Sequence, residues 1–571
     1  MKLRIIGVGL VFISAIGILL LIITLTNPST FTSTSVSTVG TSTGTHTSAT
    51  ATSNGTTSND SIARENAQPG TTSWQITAAH ASTVQIQAFA GATSVVPGSS
   101  IKLYVSTQRA GTLYTIDIYR LGWYGGTGAR LMQSIPALSG DDQGYFDNIN
   151  DTQSTLVCPS CTTDKATGLL ETHWKASYTL SIPNNWTTGI YLAKFTDSQG
   201  FQTYAPFDVL GNPNAPYVLV TPDTTAAAYN NWGGSSLYEV DNEAKGQGVP
   251  VSPGAGVAAV SFNRPYSDGY GSGIILSYEL TTIHWLERQG YEISYISSVD
   301  LQTNPAQLLN HKAFISLGHD EYWTKEMRDG VENARDHGVG LAFLGANTAY
   351  WQMRFGPDSN GTENRIVICY KVLSDNKDYQ RDPLYGKDNS RVTTQWRDPL
   401  VNRPEDALTG VMFSDLTHYQ SGFAWRVDPQ AGNSPLLKGT GLQAGQSYGC
   451  GIVGYEWDKD FNDATTPKNL QLIASSPVVP SNSAGTPSTT RTDMGNSAYY
   501  IAPSGAFVFA SGSIYWGNSL DDFRADYNLQ SHSLARACNG DATTSKAVPE
   551  IQKFMANVMS AMIVKHPSGT L

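Results

Sequence analysis

The sequence predicts an all-β sandwich followed by an α/β domain built on a parallel sheet. Between about Trp74 and Leu210, short segments alternate apolar and polar residues with period two and are separated by Gly, Pro and Asn. After Gly211-Asn-Pro-Asn-Ala-Pro216, compact apolar runs alternate instead with stretches of helical spacing. One of those runs, Phe314-Ile-Ser-Leu-Gly-His-Asp-Glu-Tyr-Trp323, ends abruptly in three ionisable residues. That is where open α/β sheets carry their chemistry.

The N-terminus speaks to topology. Lys2 and Arg4 precede a nearly continuous apolar run from Ile5 to Leu25, and about 20 apolar residues span a bilayer core as a helix. No convincing Ala-x-Ala site directly follows the run, so residues 1–26 are expected to be an uncleaved transmembrane anchor, with a cleaved secretion signal as the alternative. The basic flank stays inside, which puts the remainder on the extracellular side, at the cell surface or secreted. Residues 27–72 are dominated by Ser, Thr, Gly and Ala, too little apolar surface to offset ordering entropy, and are expected to form a disordered stalk. The net charge of −11 and the absence of any Lys/Arg run argue against a nucleic-acid partner.

Residues 73–211 supply the sandwich. Val84-Gln-Ile-Gln-Ala-Phe, Ile101-Lys-Leu-Tyr-Val and Tyr114-Thr-Ile-Asp-Ile-Tyr alternate cleanly. Ser177-Tyr-Thr-Leu-Ser-Ile and Gly189-Ile-Tyr-Leu-Ala-Lys-Phe follow. Half a dozen strands over this length indicate an immunoglobulin-like sandwich. Its Gly-rich aromatic loop Tyr119-Arg-Leu-Gly-Trp-Tyr-Gly-Gly126 is expected to pack on the next domain. Cys158-Pro-Ser-Cys161 lacks the second ligand pair of a zinc site and reads as a local disulfide in an oxidising compartment.

Residues 212–571 supply the α/β domain. Tyr217-Val-Leu-Val-Thr221, Ile293-Ser-Tyr-Ile296, Ala313 to Leu317 and Val339 to Leu344 are expected strands. Glu279 to Gln289 and Lys325 to His337 carry helical spacing. Such alternation makes a parallel sheet with helices on both faces, and the loops after its strands converge on one crevice. Three strand ends therefore belong together: the segment from Ala228 to Tyr238, then His319, Asp320 and Glu321, then Asn347. Asp320 is expected to serve the start of the following helix. Lys371 and Glu456 come later. Glu456 lies between Tyr455 and Trp457, so its carboxylate is expected to be desolvated, with a raised pKa suited to a general base. No cysteine in a nucleophile's context and no His-Glu-x-x-His motif is present, and a hydrolase on this chain is expected to use water as its nucleophile.

Several motifs occur together in one order: Ala228-Tyr-Asn-Asn-Trp-Gly-Gly-Ser-Ser-Leu-Tyr238, Ser261-Phe-Asn-Arg-Pro-Tyr266, Gly318-His-Asp-Glu-Tyr-Trp323, Gly345-Ala-Asn-Thr-Ala-Tyr-Trp351, Cys369-Tyr-Lys371 and Gly454-Tyr-Glu-Trp457. They resemble the large (β) subunit of N,N-dimethylformamidase. The resemblance implies a glutamine-amidotransferase-like, flavodoxin-like α/β fold and a mononuclear ferric iron (Fe3+) site held by two tyrosines and a carboxylate. It maps Glu321 onto the carboxylate; Tyr229, which follows the first strand, is the first choice of tyrosine, and the second is left open between Tyr238 and Tyr266. It also implies Glu456 as the base that activates water, Asn347 and His319 as groups orienting substrate or oxyanion, and Lys371 as electrostatic support. The implied function is a membrane-anchored extracellular amide hydrolase acting on a small amide. The alternative is a non-catalytic surface protein binding a glycan or another protein. No domain equivalent to the family's small subunit is identified in the chain, and homo-oligomerisation is left open.

Overall fold

The computed structural model describes residues 61–150, 153–240, 256–371, 378–419, 421–482, 486–525, 546–567 and 569–571. The expected anchor at residues 1–26 lies outside them, as does most of the expected stalk. No helix among the described residues is long and apolar enough to cross a membrane. The stalk boundary is corrected at its C-terminal end. Ser61–Asn66 is a helix whose Ile62, Glu65 and Asn66 are buried. Ile62 packs into the main core, and Asn66 accepts hydrogen bonds from the backbone of Trp123 and Tyr124, which gives this stretch an apolar anchor and polar partners.

Two sheets face each other in the first half, antiparallel throughout except for the parallel pairing of Ser94–Val95 with Gln202–Val209. One orders Ile86–Ala90, Ser100–Thr107 and Tyr178–Ser181. The other runs Ser94–Val95, Gln202–Val209, Gly189–Asp197, Leu113–Leu121 and Ala129–Ser139. Ile86, Leu103, Ile116, Ile118, Leu180, Ala193 and Phe207 fill the space between, as the period-two alternation requires. The Cys158–Cys161 disulfide is formed, and Cys369 is a buried free thiol.

The second half is organised by a seven-stranded sheet. Its spatial order is Ile293–Ser297, Tyr217–Thr221, Ala313–Gly318, Gly340–Gly345, Phe507–Ala510, Asp493–Ile501 and Gln471–Val478. The first five strands are parallel, and Asp493–Ile501 runs antiparallel to its neighbours on both sides. The central strands are buried along their whole length, which explains their continuous apolar runs. One face packs the helix Leu280–Arg288 and the C-terminal helix Pro549–Met562, and the other packs Lys325–Asp336.

Sandwich and sheet meet across a buried ion pair. Arg120, on the strand that opens the Gly-rich loop, places its guanidinium against Glu287 at 2.7 Å, both side chains being fully buried. Thr188 O, Leu121 O and the Tyr124 hydroxyl take further bonds from the same guanidinium, and the Tyr295 hydroxyl donates to Glu287. Every polar group is satisfied, which is what makes a buried pair tolerable.

Candidate functional site

The strand Ala313–Gly318 leaves the sheet beside Gly340–Gly345, and the two chains diverge with little space between them. A Cβ on Gly345 would lie 2.1 Å from Gly318 O, and Gly318 adopts φ 68°, so both positions require glycine. Directly beyond lie His319, Asp320 and Glu321 on one side and Asn347 on the other. Tyr217–Thr221 leads to the short helix Asp223–Tyr229, which delivers Tyr229 from a third strand end. Glu456 opens the strand Glu456–Lys459, held near the sheet by a bridge from Trp457 to Ser513. Lys371 follows the strand Ile366–Ile368 of a neighbouring four-stranded sheet.

These groups converge. The Tyr229 hydroxyl donates to Glu321 Oε2 at 2.9 Å and the Tyr238 hydroxyl to Oε1 at 2.8 Å. Their rings stack with centroids 4.3 Å apart. His319 Nε2 lies 3.3 Å from Glu321 Oε2 and 3.5 Å from Glu456 Oε2, at angles that leave it uncommitted to either. Asn347 Nδ2 donates to Glu456 Oε2 at 3.1 Å, while its Oδ1 has no partner. Lys371 Nζ, without a hydrogen-bond partner, sits 3.2 Å from the centre of the Tyr238 ring. Asn347 and Lys371 both hold left-handed backbone, with φ 57° and 63°, a conformation that costs energy in non-glycine residues and clusters at functional sites.

Electrostatics separate the two carboxylates. Burial raises Glu321, but nearby His319, Lys371 and the Tyr238 hydroxyl more than offset it, and Glu321 is held below the usual carboxylate range. Burial pushes Glu456 up to about 7, opposed by His319 and reinforced by the charge of Glu321. Burial lowers Lys371 to about 7 against the pull of Cys369 and Glu321. Burial also depresses His319, yet Glu321 and Glu456 leave it net raised. The phenols of Tyr229 and Tyr238 are pushed well up, first by burial and then by Glu321. A cation among these three oxygens would reverse that last effect.

The described residues contain no group of three His, Cys, Asp or Glu side chains that could hold a metal. The set that fits one is instead Tyr229, Tyr238 and Glu321. It comprises three buried hard oxygen donors, with 2.8 and 2.9 Å between each phenol and the carboxylate, close enough to share one small cation. Tyr266, the third sequence candidate, is not among them. It lies near Asp223, Arg264, Arg365 and Glu279. Asp320 is structural but not through the helix start, where Thr324 caps Met327 N. It accepts instead from Ser316 and from Trp323 Nε1, both at 2.8 Å.

Other supports escaped the sequence. Thr225 Oγ1 accepts from the backbone N–H of Glu321. Asp458 accepts from the backbone of Asn347. Tyr278 packs edge-on to the His319 ring at 5.8 Å. Arg264, fully buried, donates to the carbonyls of Asn230, Trp232 and Ser235 at 2.6 to 2.8 Å and so shapes the loop between Tyr229 and Tyr238. Its place in the Ser261–Tyr266 motif was visible, its role was not.

A buried carboxyl whose pKa lies near neutrality, beside a set of hard oxygen donors, is an arrangement that could activate water at a carbonyl if a cation were held there. A family model described as N,N-dimethylformamidase beta subunit-like, C-terminal, matches residues 115–531, and the chain belongs to that family. It is similar to the N,N-dimethylformamidase β subunit of Alcaligenes sp, at 24% identity over 414 residues, covering 62% of this chain and 53% of the relative. It is likewise similar to the subunit of the same name from Paracoccus aminophilus, at 24% over 422 residues with the same coverage. The chain thus spans about half the length of the curated relatives it matches. Among solved structures, a Paenibacillus sp. cycloisomaltooligosaccharide glucanotransferase complexed with cycloisomaltoheptaose matches 49% of this chain and 33% of its own at 13% identity. Its TM-score of 0.13 carries no argument.

Proposed function

We propose that this chain hydrolyses a small amide with ferric iron held by Tyr229, Tyr238 and Glu321. The observation that carries the reading is the convergence of both hydroxyls on Glu321, with His319 between that carboxylate and Glu456. When bound, ferric iron supplies Lewis-acid polarisation of an amide carbonyl or of water. Glu456, with a pKa near the working pH, takes the proton of the attacking water and returns it to the departing amine nitrogen. Asn347 Nδ2 and a protonated His319 Nε2 are placed to donate to the oxygen that becomes negative. Lys371 braces the Tyr238 ring and offsets the Glu321 charge.

We read the parallel sheet as glutamine-amidotransferase-like and the sandwich as immunoglobulin-like, readings supported by the family resemblance and by the strand alternation. An extracytoplasmic site is supported by the Cys158–Cys161 disulfide. The designation β subunit on both relatives supports assembly with a further chain.

The test is metal analysis and an absorption spectrum of the purified chain, with amine release from N,N-dimethylformamide and formamide. Iron near one per chain, a visible phenolate-to-iron band and amine release are expected. A colourless, iron-free protein sinks the proposal.

A further inference from the structure

The sandwich strand Ile86–Ala90 is buried along its whole length, although its sequence alternates polar and apolar residues. Period two explains one face, where Ile86, Ala88 and Ala90 fill the sandwich. The other face, Gln87 and Phe89, would meet water in a free-standing sandwich. Here it meets Trp232, which lies between Tyr229 and Tyr238 in sequence and is 1% exposed.

Gln87 commits its whole amide to this contact. Nε2 donates to Thr83 O at 2.6 Å and to Phe146 O at 2.7 Å. Oε1 accepts from Phe146 N at 3.0 Å and from Trp232 Nε1 at 2.9 Å. Two donors and two lone pairs are all that an amide has. Turning it over would set N–H against N–H and oxygen against oxygen, so its orientation is fixed, and with it the place of the indole. Around that indole stand Phe146 at 6.1 Å and Trp174, edge-on, at 5.9 Å between ring centroids.

The loop that carries Trp232 needs such an anchor. Gly233 and Gly234 hold φ 85° and 87°, and two adjacent glycines leave the chain free to take other paths. Arg264 selects one path from the α/β side through three carbonyls. The indole selects it from the sandwich side, and Leu170 presses on Gly233 so closely that a Cβ there would come within 2.0 Å of it. At the two ends of this path the Tyr229 and Tyr238 hydroxyls reach Glu321.

We propose that Gln87 and Trp232 are positioning residues of the candidate site. Through one hydrogen bond and an aromatic socket, the sandwich holds the loop in the path that brings both phenols to one carboxylate. This role rests on the reading of Tyr229, Tyr238 and Glu321 as an iron site. When the loop leaves its path the cation must first restore it, and the apparent affinity falls with the fraction of chains that hold it.

Titration of the full chain with ferric ion, supplied as its nitrilotriacetate complex, tests the assignment. Trp232→Phe keeps a ring in the socket and removes the N–H, and Gln87→Met keeps the length and removes the amide. Each should weaken ferric binding about ten-fold and shift the phenolate-to-iron band. The double variant should also lose about ten-fold rather than about a hundred-fold, because both changes break one contact. Trp186→Phe, stacked on Tyr191 in the sandwich's own core, is the control: it should lower the thermal midpoint while leaving affinity and band as in the wild type. In the metal-free chain, backbone hydrogen exchange over residues 230–237 should quicken about ten-fold in the two variants and not in the control. Unchanged exchange in both variants would overturn the proposal, with or without iron. Wild-type affinity and band in Trp232→Phe would do the same, and this milder variant decides the matter if Gln87→Met fails to fold. A wild type that binds no iron, with exchange quickened in the variants, would sink the hydrolase reading while upholding the hold of the sandwich on the loop.

Discussion

Replacing Glu456 with Gln tests the base and its environment together. In the unfolded chain this carboxyl ionises near 4.5, and in the folded chain near 7, chiefly because of burial. Between those values the folded state holds the extra proton, so its stability falls as pH rises through that window and levels off above it. The shift corresponds to roughly 3 kcal/mol of stability forgone at pH 8, at 1.36 kcal/mol per pH unit. A neutral glutamine of the same shape never ionises. The variant should therefore match the wild type near pH 4 and exceed it by up to about 3 kcal/mol at pH 8 in urea unfolding. Catalysis should move oppositely. Loss of a general base costs about 10²- to 10⁴-fold in kcat, and wild-type kcat/KM should fall about ten-fold per pH unit below 7. Equal stability differences at the two pH values would refute the account of burial. A variant keeping most of its kcat would refute the assignment of the base.

Glu321→Ala should remove the metal and the visible band together, read by elemental analysis and absorption, while Tyr266→Phe retains both. Arg264→Met strands three loop carbonyls and should cost on the order of 4 kcal/mol in urea unfolding. A cost below about 1 kcal/mol would show that the loop holds itself. Glu287→Ala leaves the Arg120 guanidinium buried and unpaired, a loss of about 3–5 kcal/mol by the same measurement. A near-neutral result there would mean that water reaches the junction.

Local pattern carried much of this structure. Tyr217–Thr221 falls on its predicted residues, and Ala313–Gly318 and Lys325–Asp336 within one, because buried parallel strands and amphipathic helices advertise themselves by period. The antiparallel edge, Asp493–Ile501 and Gln471–Val478, was not legible, because the register shift between Leu472 and Ala474 and the proline at 477 break the period-two pattern that marks a strand. Motif order brought Glu321, His319, Asn347, Lys371 and Glu456 together as candidates. Spacing left Tyr238 and Tyr266 equivalent as the second tyrosine beside Tyr229, because the distance along a loop says nothing of its path. What separates Tyr238 from Tyr266 is the Arg264 guanidinium, which folds the first loop inward through three carbonyls. Backbone acceptors leave no trace in a side-chain pattern.

The Arg120–Glu287 contact also bears on modularity. Composition changes sharply at Gly211, which invites treating the two halves as exchangeable cassettes. A chain cut there would separate Arg120 from Glu287 and expose to water the apolar surface that Tyr119, Leu121, Ile190 and Leu192 share with the sheet's core. Neither half is then a transplantable unit, and the sandwich is expected to travel with its sheet through recombination and engineering alike.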